Sequence, residues 1–205
     1  LNFNFSKIDN YVDELAEGVE SIFIGGFTTP QVRAGIGDTY PVIYGDSFLR
    51  NEDGKIVVDD DPSSANYGFP IQGEPDVIGK VSPDFILGGG TSFTFRNWSL
   101  NALFEWKQGG QMYSGSIGLM DYYGVSARTE DRESTFIFDG VKSDGTPNDI
   151  VRGGPLDPRA LENLHTQVLT NIDEYYIFDN SFVKLRELSL KYQPAKKLFN
   201  RVNVG

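Results

Sequence analysis

The chain has 205 residues, enough for one large domain or two small ones. Its 18 basic and 29 acidic residues give a net charge of −11, which disfavours nucleic acid as a partner because phosphate backbones would be repelled. The absence of cysteine excludes disulfides, thiolate metal sites and cysteine nucleophiles, and 23 glycines, 10 prolines, 15 Phe and 10 Tyr favour strands and turns.

The first predicted strand spans residues 1–6, where Leu, Phe and Phe alternate with Asn, Asn and Ser. The chain enters this strand at its first residue, without a methionine or a signal peptide. We therefore expect it to be a piece of a longer protein. No run of about 18 apolar residues occurs, so the sequence predicts no transmembrane helix.

Residues 7–82 are predicted to form a long, largely irregular loop, with one short strand near 21–27. Asp53-Gly54 has the composition of a type I′ hairpin turn. Three acidic residues follow, and a calcium site is the alternative interpretation of Asp59, Asp60 and Asp61. The EF-hand template fails because Leu49 stands where the first acidic ligand belongs. We interpret the three aspartates as the solvated rim of a hairpin and predict no metal.

A hairpin is predicted from strands at 85–95 and 98–107, joined by Arg96-Asn97. Pairing Phe95 with Trp98 aligns Gly89 with Phe104 and places one aromatic, apolar face on the hairpin. Its candidate lipid-facing residues are Phe93, Phe95, Trp98, Leu100, Phe104 and Trp106. Each strand has about ten residues, the length of a tilted strand that crosses a bilayer.

Residues 108–180 are predicted to form a second long loop with one short helix at about 158–172. Asp157-Pro158 supplies an N-cap followed by proline at the first helical position. The apolar residues of the helix share one face, and they are Leu161, Leu164, Val168, Leu169 and Ile172. His165, the single histidine, lies beside this stripe and is interpreted as a packing or surface residue.

The last predicted strand spans 181–193, and its alternation slips between Leu185 and Leu188, as a bulge would cause. A tight turn at 194–200 and the opening of a further strand at 201–205 complete the chain. The fold class is therefore mainly β, with antiparallel strands, long irregular loops and one short helix.

Catalytic groups do not converge in this sequence. A nucleophile triad would depend on His165, no G-x-S-x-G elbow occurs, and Gly88-Gly89-Gly90 lacks the Lys and Ser or Thr of a phosphate loop. We predict no enzyme, no catalytic residue and no cofactor.

The apolar hairpin face admits two interpretations, a protein core or a lipid-facing surface. Three features favour lipid. The turns at 96–97 and near Pro194 are short whereas the connection between them is long, as in outer-membrane barrels. Trp98 and Trp106 bracket the apolar face, as interfacial aromatics do. The opposite face carries Asn, Ser, Thr and Glu, which suit a watery lumen.

Four segments resemble the C-terminal barrel region of the SusC/RagA family, the TonB-linked outer-membrane transporters of Bacteroidetes. They are Tyr44-Gly45 with FLRNEDGKIVVDDD, then IGKVSPDFILGGGTSFTFRNWSLNALFEWKQGGQMY, YGVSARTEDRE and DNSFVKLRELSLKYQPAKKL. Their order and spacing match across nearly the whole chain. Pro83-Asp84-Phe85 before a glycine-rich hairpin is among the more specific features.

The resemblance implies a large antiparallel barrel in the outer membrane, energised through TonB and closed by a SusD-like lipoprotein, that imports glycans or peptides. Residues 96–97 and 194–200 would then be periplasmic turns, and 7–82 and 108–180 largely extracellular. Tyr113, Tyr122 and Tyr123 become candidates for stacking on a substrate. The chain lacks a plug domain and has too few strands to close a barrel. The alternative is a soluble β-rich carbohydrate-binding module whose hairpin packs on a second sheet.

Overall fold

The structure is a computed structural model, and it describes residues 1–194. Strands account for 43% of the residues and helices for 14%, so the chain is mainly β with antiparallel sheets, as the sequence predicted. The predicted strand opening at 201–205 and all of the predicted 194–200 turn except Pro194 lie outside the described residues. No helix within residues 1–194 is both long and apolar enough to span a membrane.

The regular elements alternate along the chain without a division into β and α halves. The strands are β1 (Asn2–Ser6), β2 (Ser21–Gly26), β3 (Gln31–Gly35), β4 (Val42–Phe48), β5 (Gln72–Lys80), β6 (Phe85–Phe95), β7 (Trp98–Gln108), β8 (Gln111–Tyr113), β9 (Thr135–Phe136), β10 (Arg152–Gly153), β11 (Ile177–Asp179) and β12 (Phe182–Tyr192). The α-helices are α1 (Gly115–Tyr122) and α2 (Ala160–Asn163). Shorter helical turns span Ala127–Thr129, Leu164–Val168, Leu169–Asn171 and Asp173–Tyr176.

The chain divides into two compact units. The sheet unit consists of Leu1–Asp9, Ser82–Gly110 and the segment from Asn180 onward, and the insert unit consists of Asn10–Val81 and Gln111–Asp179. Each unit is assembled from segments that are distant in sequence. The two long predicted loops therefore correspond closely to the insert unit.

One antiparallel sheet in the order β1-β6-β7-β12 forms the sheet unit. The predicted hairpin register is confirmed, since Phe95 pairs with Trp98 and Gly89 with Phe104. Arg96 has a φ of 54°, the left-handed conformation that a two-residue turn between twisted strands requires. The period-two pattern of β6 and β7 was thus sufficient to fix their pairing.

The predicted bulge in β12 is confirmed at Arg186. The register with β7 shifts between Leu185, which pairs with Phe104, and Glu187, which pairs with Leu103. Arg186 is the extra residue, and its guanidinium donates two hydrogen bonds of 2.8 Å to the Glu105 carboxylate. The bulge keeps the leucines on both sides of it on the same face of the sheet.

The glycine run lies inside β6, where it serves strand packing. A Cβ atom at Gly88 or Gly90 would overlap with the side-chain amide of Asn4 or Asn2 on the paired strand β1. Glycine therefore lets these asparagines lie flat across the neighbouring strand.

The expectation of long irregular loops is wrong for much of the insert unit, which contains a four-stranded antiparallel sheet in the order β2-β3-β4-β5. These strands have five to nine residues. Register shifts interrupt the β2–β3 and β4–β5 pairings. The strand predicted near 21–27 corresponds to β2. The other three strands are short or interrupted by such shifts and do not show sustained alternation, so the sequence pattern did not indicate them.

The predicted single helix at 158–172 is wrong in its start and its continuity. An α-helical turn begins at Ala160, and a π-helical turn and a 3₁₀ turn follow over Leu164–Val168 and Leu169–Asn171. Asp157 does not cap it, because its carboxylate accepts a hydrogen bond of 2.6 Å from Arg152 Nε. The sequence also missed helix α1, which contains two glycines and has no side-chain cap.

The apolar stripe of that helical segment nevertheless forms the centre of the insert unit. Its buried residues Leu164, Val168, Leu169 and Ile172 pack with Phe48, Phe69 and Ala160 in one cluster. Phe69 is fully buried, and its ring is parallel to that of Phe136 at a centroid distance of 6.3 Å. The insert unit therefore has its own hydrophobic core.

The type I′ turn predicted at Asp53-Gly54 is also wrong. Gly54 has a φ of 77°, but Asp53 does not have a positive φ. The Asn51 side chain accepts hydrogen bonds from the backbone N–H groups of Asp53 and Lys55, and this stabilises a longer turn.

Candidate functional sites: an apolar sheet face and a tyrosine-lined cleft

The apolar face predicted for the hairpin is exposed to solvent. The six candidate lipid-facing side chains have between 40% and 63% of their surface exposed, and they are Phe93, Phe95, Trp98, Leu100, Phe104 and Trp106. The register places them on one side of β6 and β7. This face is thus available for contact with a partner or a lipid.

The same face continues onto the two outer strands. Strand β1 adds Phe3 and Phe5, and β12 adds five exposed residues at positions paired with the hairpin face. These five are Val183, Leu185, Leu188, Leu190 and Tyr192. The exposed apolar surface therefore extends across all four strands, far beyond the isolated apolar residues that most soluble surfaces carry.

Aromatic clusters bound this face at both ends of the strands. At the Arg96-Asn97 end, the Trp98 and Tyr192 rings lie 4.6 Å apart. At the opposite end, the Phe85 ring lies 5.1 Å from Trp106 and 5.8 Å from Phe5. The apolar face therefore has an aromatic row at each end, and the further rings of Phe3, Phe93 and Phe104 lie between the two rows.

The other face of the sheet is polar. Thr94 Oγ1 lies 3.1 Å from Ser99 Oγ, and Asn101 Nδ2 donates a hydrogen bond of 3.1 Å to Ser189 Oγ. Leu103 is the one large apolar side chain of β7 on this side. The two faces of one sheet therefore have opposite chemistry.

The three acidic candidates, Asp59, Asp60 and Asp61, direct their carboxylates to different partners. Asp59 accepts a hydrogen bond from Ser64, Asp60 accepts from Ser143, and Asp61 accepts from Ser63. Hydrogen bonds from these serines hold the pKa values of Asp60 and Asp61 below the ordinary value. Within residues 1–194, no three His, Asp or Glu side chains cluster closely enough to hold a metal ion.

The three candidate tyrosines do not share one site. Tyr113 lies in β8 with its side chain partly buried, and burial, reinforced by Asp173, raises the pKa of its hydroxyl. Tyr122 and Tyr123 are adjacent at the end of α1, with ring centroids 5.2 Å apart and planes at 81°. Only the latter two line a cleft together.

That cleft belongs to the insert unit and has a volume of about 310 Å³. Exposed residues at its rim include Tyr122, Tyr123 and Glu162, and its lining also contains Thr129, Arg132 and Thr166. The buried residues Asp121 and His165 belong to the lining as well. The tyrosine-lined cleft therefore combines aromatic rings with buried polar groups.

The buried polar groups are incompletely partnered. Asp121 is 1% exposed and His165 is 4% exposed, and the two Asp121 carboxylate oxygens and His165 Nδ1 make no hydrogen bond with residues 1–194. Asp121 Oδ2 lies 3.3 Å from Arg128 Nη1 and 3.8 Å from His165 Nδ1. Burial lowers the pKa of His165 below 6.5 despite the nearby carboxylate, so its imidazole is neutral at pH 7.

Sequence reasoning did not find Asp121. Helix α1 was not predicted, so nothing placed this carboxylate beside His165, 44 positions later in a different element. Asp173 was also missed, because its partner Asp46 lies 127 positions earlier in β4. It accepts a hydrogen bond from the Asp46 backbone N–H, and burial raises the pKa of its carboxyl.

No model of a known protein family matches the chain, and no curated protein is significantly similar to it. The resemblance to SusC/RagA transporters therefore depends on the four sequence segments given above.

Proposed function

We propose that the chain is part of a TonB-dependent outer-membrane nutrient importer of the SusC/RagA type. In this proposal the sheet unit contributes β1, β6, β7 and β12 to the wall of a membrane barrel. The insert unit lies at the extracellular mouth, where a SusD-like lipoprotein and a glycan or peptide substrate would bind. The chain itself carries out no catalysis.

The observation that carries the proposal is the asymmetry of the four-stranded sheet. Three of its strands have 11 residues, a length suited to crossing a bilayer at a tilt. One face is apolar, exposed and bounded by aromatic rows, and the other is polar. An exposed apolar face of this extent is costly in water but favourable in lipid.

The edges of the sheet provide further support. Strands β1 and β12 each pair with one neighbour within residues 1–194. Strand β12 thus leaves one side of its 11-residue backbone unpaired in this part of the chain. A bilayer does not tolerate an open strand edge. In a closed barrel this edge would pair with another strand.

A soluble carbohydrate-binding module would bury the aromatic hairpin face against a second sheet. The exposure of the six hairpin side chains does not favour that function. We therefore propose the importer and not the soluble carbohydrate-binding module.

A blot of fractionated source cells, with an antibody raised against this chain, tests the proposal directly. We expect a band several times heavier than 22.8 kDa in the outer-membrane fraction, because four strands are too few to close a barrel. A band at 22.8 kDa in the soluble fraction would overturn the proposal.

A second experiment tests which face meets lipid. Both tryptophans, Trp98 and Trp106, lie in the sheet unit, so their fluorescence reports on that unit alone. In mixed micelles of a nonionic detergent and phosphatidylcholine brominated on its acyl chains, we expect strong quenching. Leu100 and Leu103 are both 40% exposed on opposite faces of β7, which makes them matched sites.

Leu100→Arg should weaken binding to these micelles, by up to about 4 kcal/mol if the site lies near the middle of the apolar layer. Leu103→Arg should leave quenching close to the wild-type level. Equal effects of the two substitutions, or no quenching of the wild-type chain, would contradict a lipid-facing surface.

A further inference from the structure

We propose that a pH-sensitive bridge holds the turn between β2 and β3 against the helical turn Asp173–Tyr176. The bridge consists of Asp46, Thr29 and Asp173, and it is complete only while the two carboxyl groups share one proton. Loss of that proton releases the β2–β3 turn. All three residues belong to the insert unit, so this inference does not depend on the membrane proposal.

The bridge lacks one hydrogen atom when both carboxyl groups are ionised. Thr29 Oγ1 lies 3.0 Å from Asp46 Oδ2 and is also in hydrogen-bond contact with Asp173 Oδ2. A hydroxyl group donates only one proton, and an ionised carboxylate only accepts. Thr29 therefore donates to one of the two carboxylates, and its hydrogen bond with the other requires a proton on a carboxyl group.

Asp173 is the carboxyl group that holds the proton. It is 8% exposed, whereas Asp46 is only half-buried. Burial raises the pKa of the Asp173 carboxyl, and the charge of Asp46 acts in the same direction, against hydrogen bonds from Thr29 and the Asp46 N–H that lower it. In the complete bridge Asp173 thus donates to Thr29 Oγ1, and Thr29 donates to Asp46.

The charged groups around Asp173 do not neutralise it. Asp46 on β4 and Tyr113 on β8 interact with it electrostatically, and Glu174 beside it binds Arg50. The other titratable groups of this turn and of the elements packed against it are Tyr175 and Tyr176, Tyr44 on β4, Glu74, Asp76 and Lys80 on β5, and Asp121 and Tyr122 on α1. Within residues 1–194, Asp173 forms no ion pair with a lysine, arginine or histidine. Its ionisation therefore leaves two carboxylates at one hydroxyl group without a compensating cation.

The segments joined by the bridge are in close contact. A Cβ atom at Gly45 would lie 2.6 Å from Asp173 Oδ2 and 3.0 Å from Pro30 Cβ, so glycine at this position lets the carboxyl group and the turn approach β4 together. The Asp46 backbone N–H donates a hydrogen bond of 3.1 Å to the same Asp173 oxygen. Two carboxylates at this site cannot both be surrounded by water, which is why the proton is needed.

The bridged turn also forms part of a cleft. Residues 27–29 line this cleft together with Tyr113 and Leu119, and its volume is about 640 Å³. Release of the turn would move one side of the cleft. The bridge therefore links the protonation of Asp173 to the shape of an accessible surface of the insert unit.

The expected pH dependence has a definite sign. The pKa of folded Asp173 lies above its ordinary value of 3.8, so the bridge is complete below pH 3.8 and is lost as the pH rises through the folded pKa. The ratio of bridged to released molecules should change by up to about tenfold for each pH unit between the two values. His165 has the opposite dependence, because its lowered pKa makes its contribution disappear as the pH falls.

Electron paramagnetic resonance distances across the cleft test the inference on the complete chain in nonionic detergent micelles. The chain has no cysteine, so nitroxides attach only at Thr28→Cys and Leu119→Cys, two exposed positions that line the cleft. We expect a narrow distance distribution at about pH 4 and a shifted or broadened one at about pH 7, as the bridge is lost.

Three further substitutions in this labelled chain identify the bridge. Asp46→Asn should keep the narrow distribution at both pH values, because its amide donates to Thr29 while Thr29 donates to ionised Asp173. Thr29→Val should give the broadened distribution at both pH values. Asp76→Asn is the matched control, since Asp76 is an exposed carboxyl group on β5, paired with Gly45 and outside the bridge. This variant should behave as the labelled chain without it.

Equal distributions at the two pH values in the labelled chain would overturn the inference. An Asp46→Asn variant that retains the pH dependence would also overturn it, as would a Thr29→Val variant that does so. Thr29 is exposed and Asp46 half-buried, so both variants are expected to fold, and amide exchange of the buried 160–172 segment checks this for each. A threonine with a structural role alone would change the distance without changing its pH dependence.

Discussion

The sheet unit and the insert unit differ in whether their apolar side chains are buried. Every hydrophobic residue that is fully buried within residues 1–194 belongs to the insert unit, including Phe69, Leu169 and Ile172. The sheet unit has the stronger aromatic pattern, yet its apolar side chains remain exposed. Regular alternation therefore indicates a face but does not show what covers it.

The difference follows from layering. The sheet unit is a single antiparallel layer, and one layer cannot cover its own apolar face. In the insert unit, helical turns and short sheets surround Phe48 and Phe69 with other apolar groups. A core of this kind does not require strict periodicity, because residues from many segments contribute to it.

The largest expected effect comes from truncating one phenylalanine in each unit. Phe69→Ala removes a fully buried ring that packs against Phe136, and should lower the stability of the insert unit by about 3–5 kcal/mol. Phe104→Ala removes a half-exposed ring of the sheet unit and should change the stability of the insert unit by less than about 0.5 kcal/mol.

The insert unit contains no tryptophan, so fluorescence cannot report on it. Amide hydrogen exchange measures the stability of the insert unit in both variants. Similar losses of protection in both variants would show that the insert unit depends on the apolar sheet face. The distinction between the two units would then fail.

The second comparison concerns the bulge in β12. Deleting Arg186 removes the extra residue and leaves Leu185 and Leu188 on one face in unbroken alternation, so the sheet should be retained. The loss of its ion pair with Glu105 should cost little stability, because both groups are exposed and solvent screens the pair.

Deleting Ser189 is the matched control, since it moves one flanking segment of β12 to the wrong face. Thermal unfolding followed by tryptophan fluorescence should show a much larger loss for this deletion. If the Arg186 deletion were equally damaging, the bulge would have a role beyond keeping the leucines on one face.

The smallest expected effect is a pH dependence confined to the insert unit, which holds the only histidine. Burial lowers the pKa of folded His165 below its ordinary value of 6.5. Below pH 6.5 the unfolded state therefore binds more protons than the folded state, and stability falls as the pH decreases toward the folded pKa.

His165→Gln should remove this contribution, so that the variant loses less stability than the wild type between pH 7 and pH 5. Amide exchange at the two pH values, corrected for intrinsic rates, measures the difference. A variant with the same pH dependence as the wild type would show that His165 does not contribute to the acid sensitivity of the insert unit.

Much of the sheet unit was predictable because its strand pattern depends on residues that are close together in the sequence. The alternation around Arg96-Asn97 fixed the hairpin register, and the slip between Leu185 and Leu188 located the bulge. In both cases the period of the strand connects adjacent residues directly to a face. Candidate residues such as Trp98 and Trp106 could therefore be assigned to one side before the structure was known.

The insert unit was less predictable because its contacts are not local. The 158–172 stripe correctly indicated buried residues, but the partners Phe48 and Phe69 lie about 100 positions earlier. The tyrosine-lined cleft likewise combines α1 with the helical segment around His165. No short pattern contains information about two segments that meet only after folding.

The sequence by itself determined the strands of the sheet unit, the register of the β6–β7 hairpin and the opposite chemistry of its two faces, because side chains alternate with period two along any strand. Only the tertiary structure decided that residues 10–81 and 111–179 form a unit with its own core, and that Asp121 lies beside His165. These features depend on chain segments brought together over long sequence distances, where the energy of packing, and not local periodicity, selects the partners.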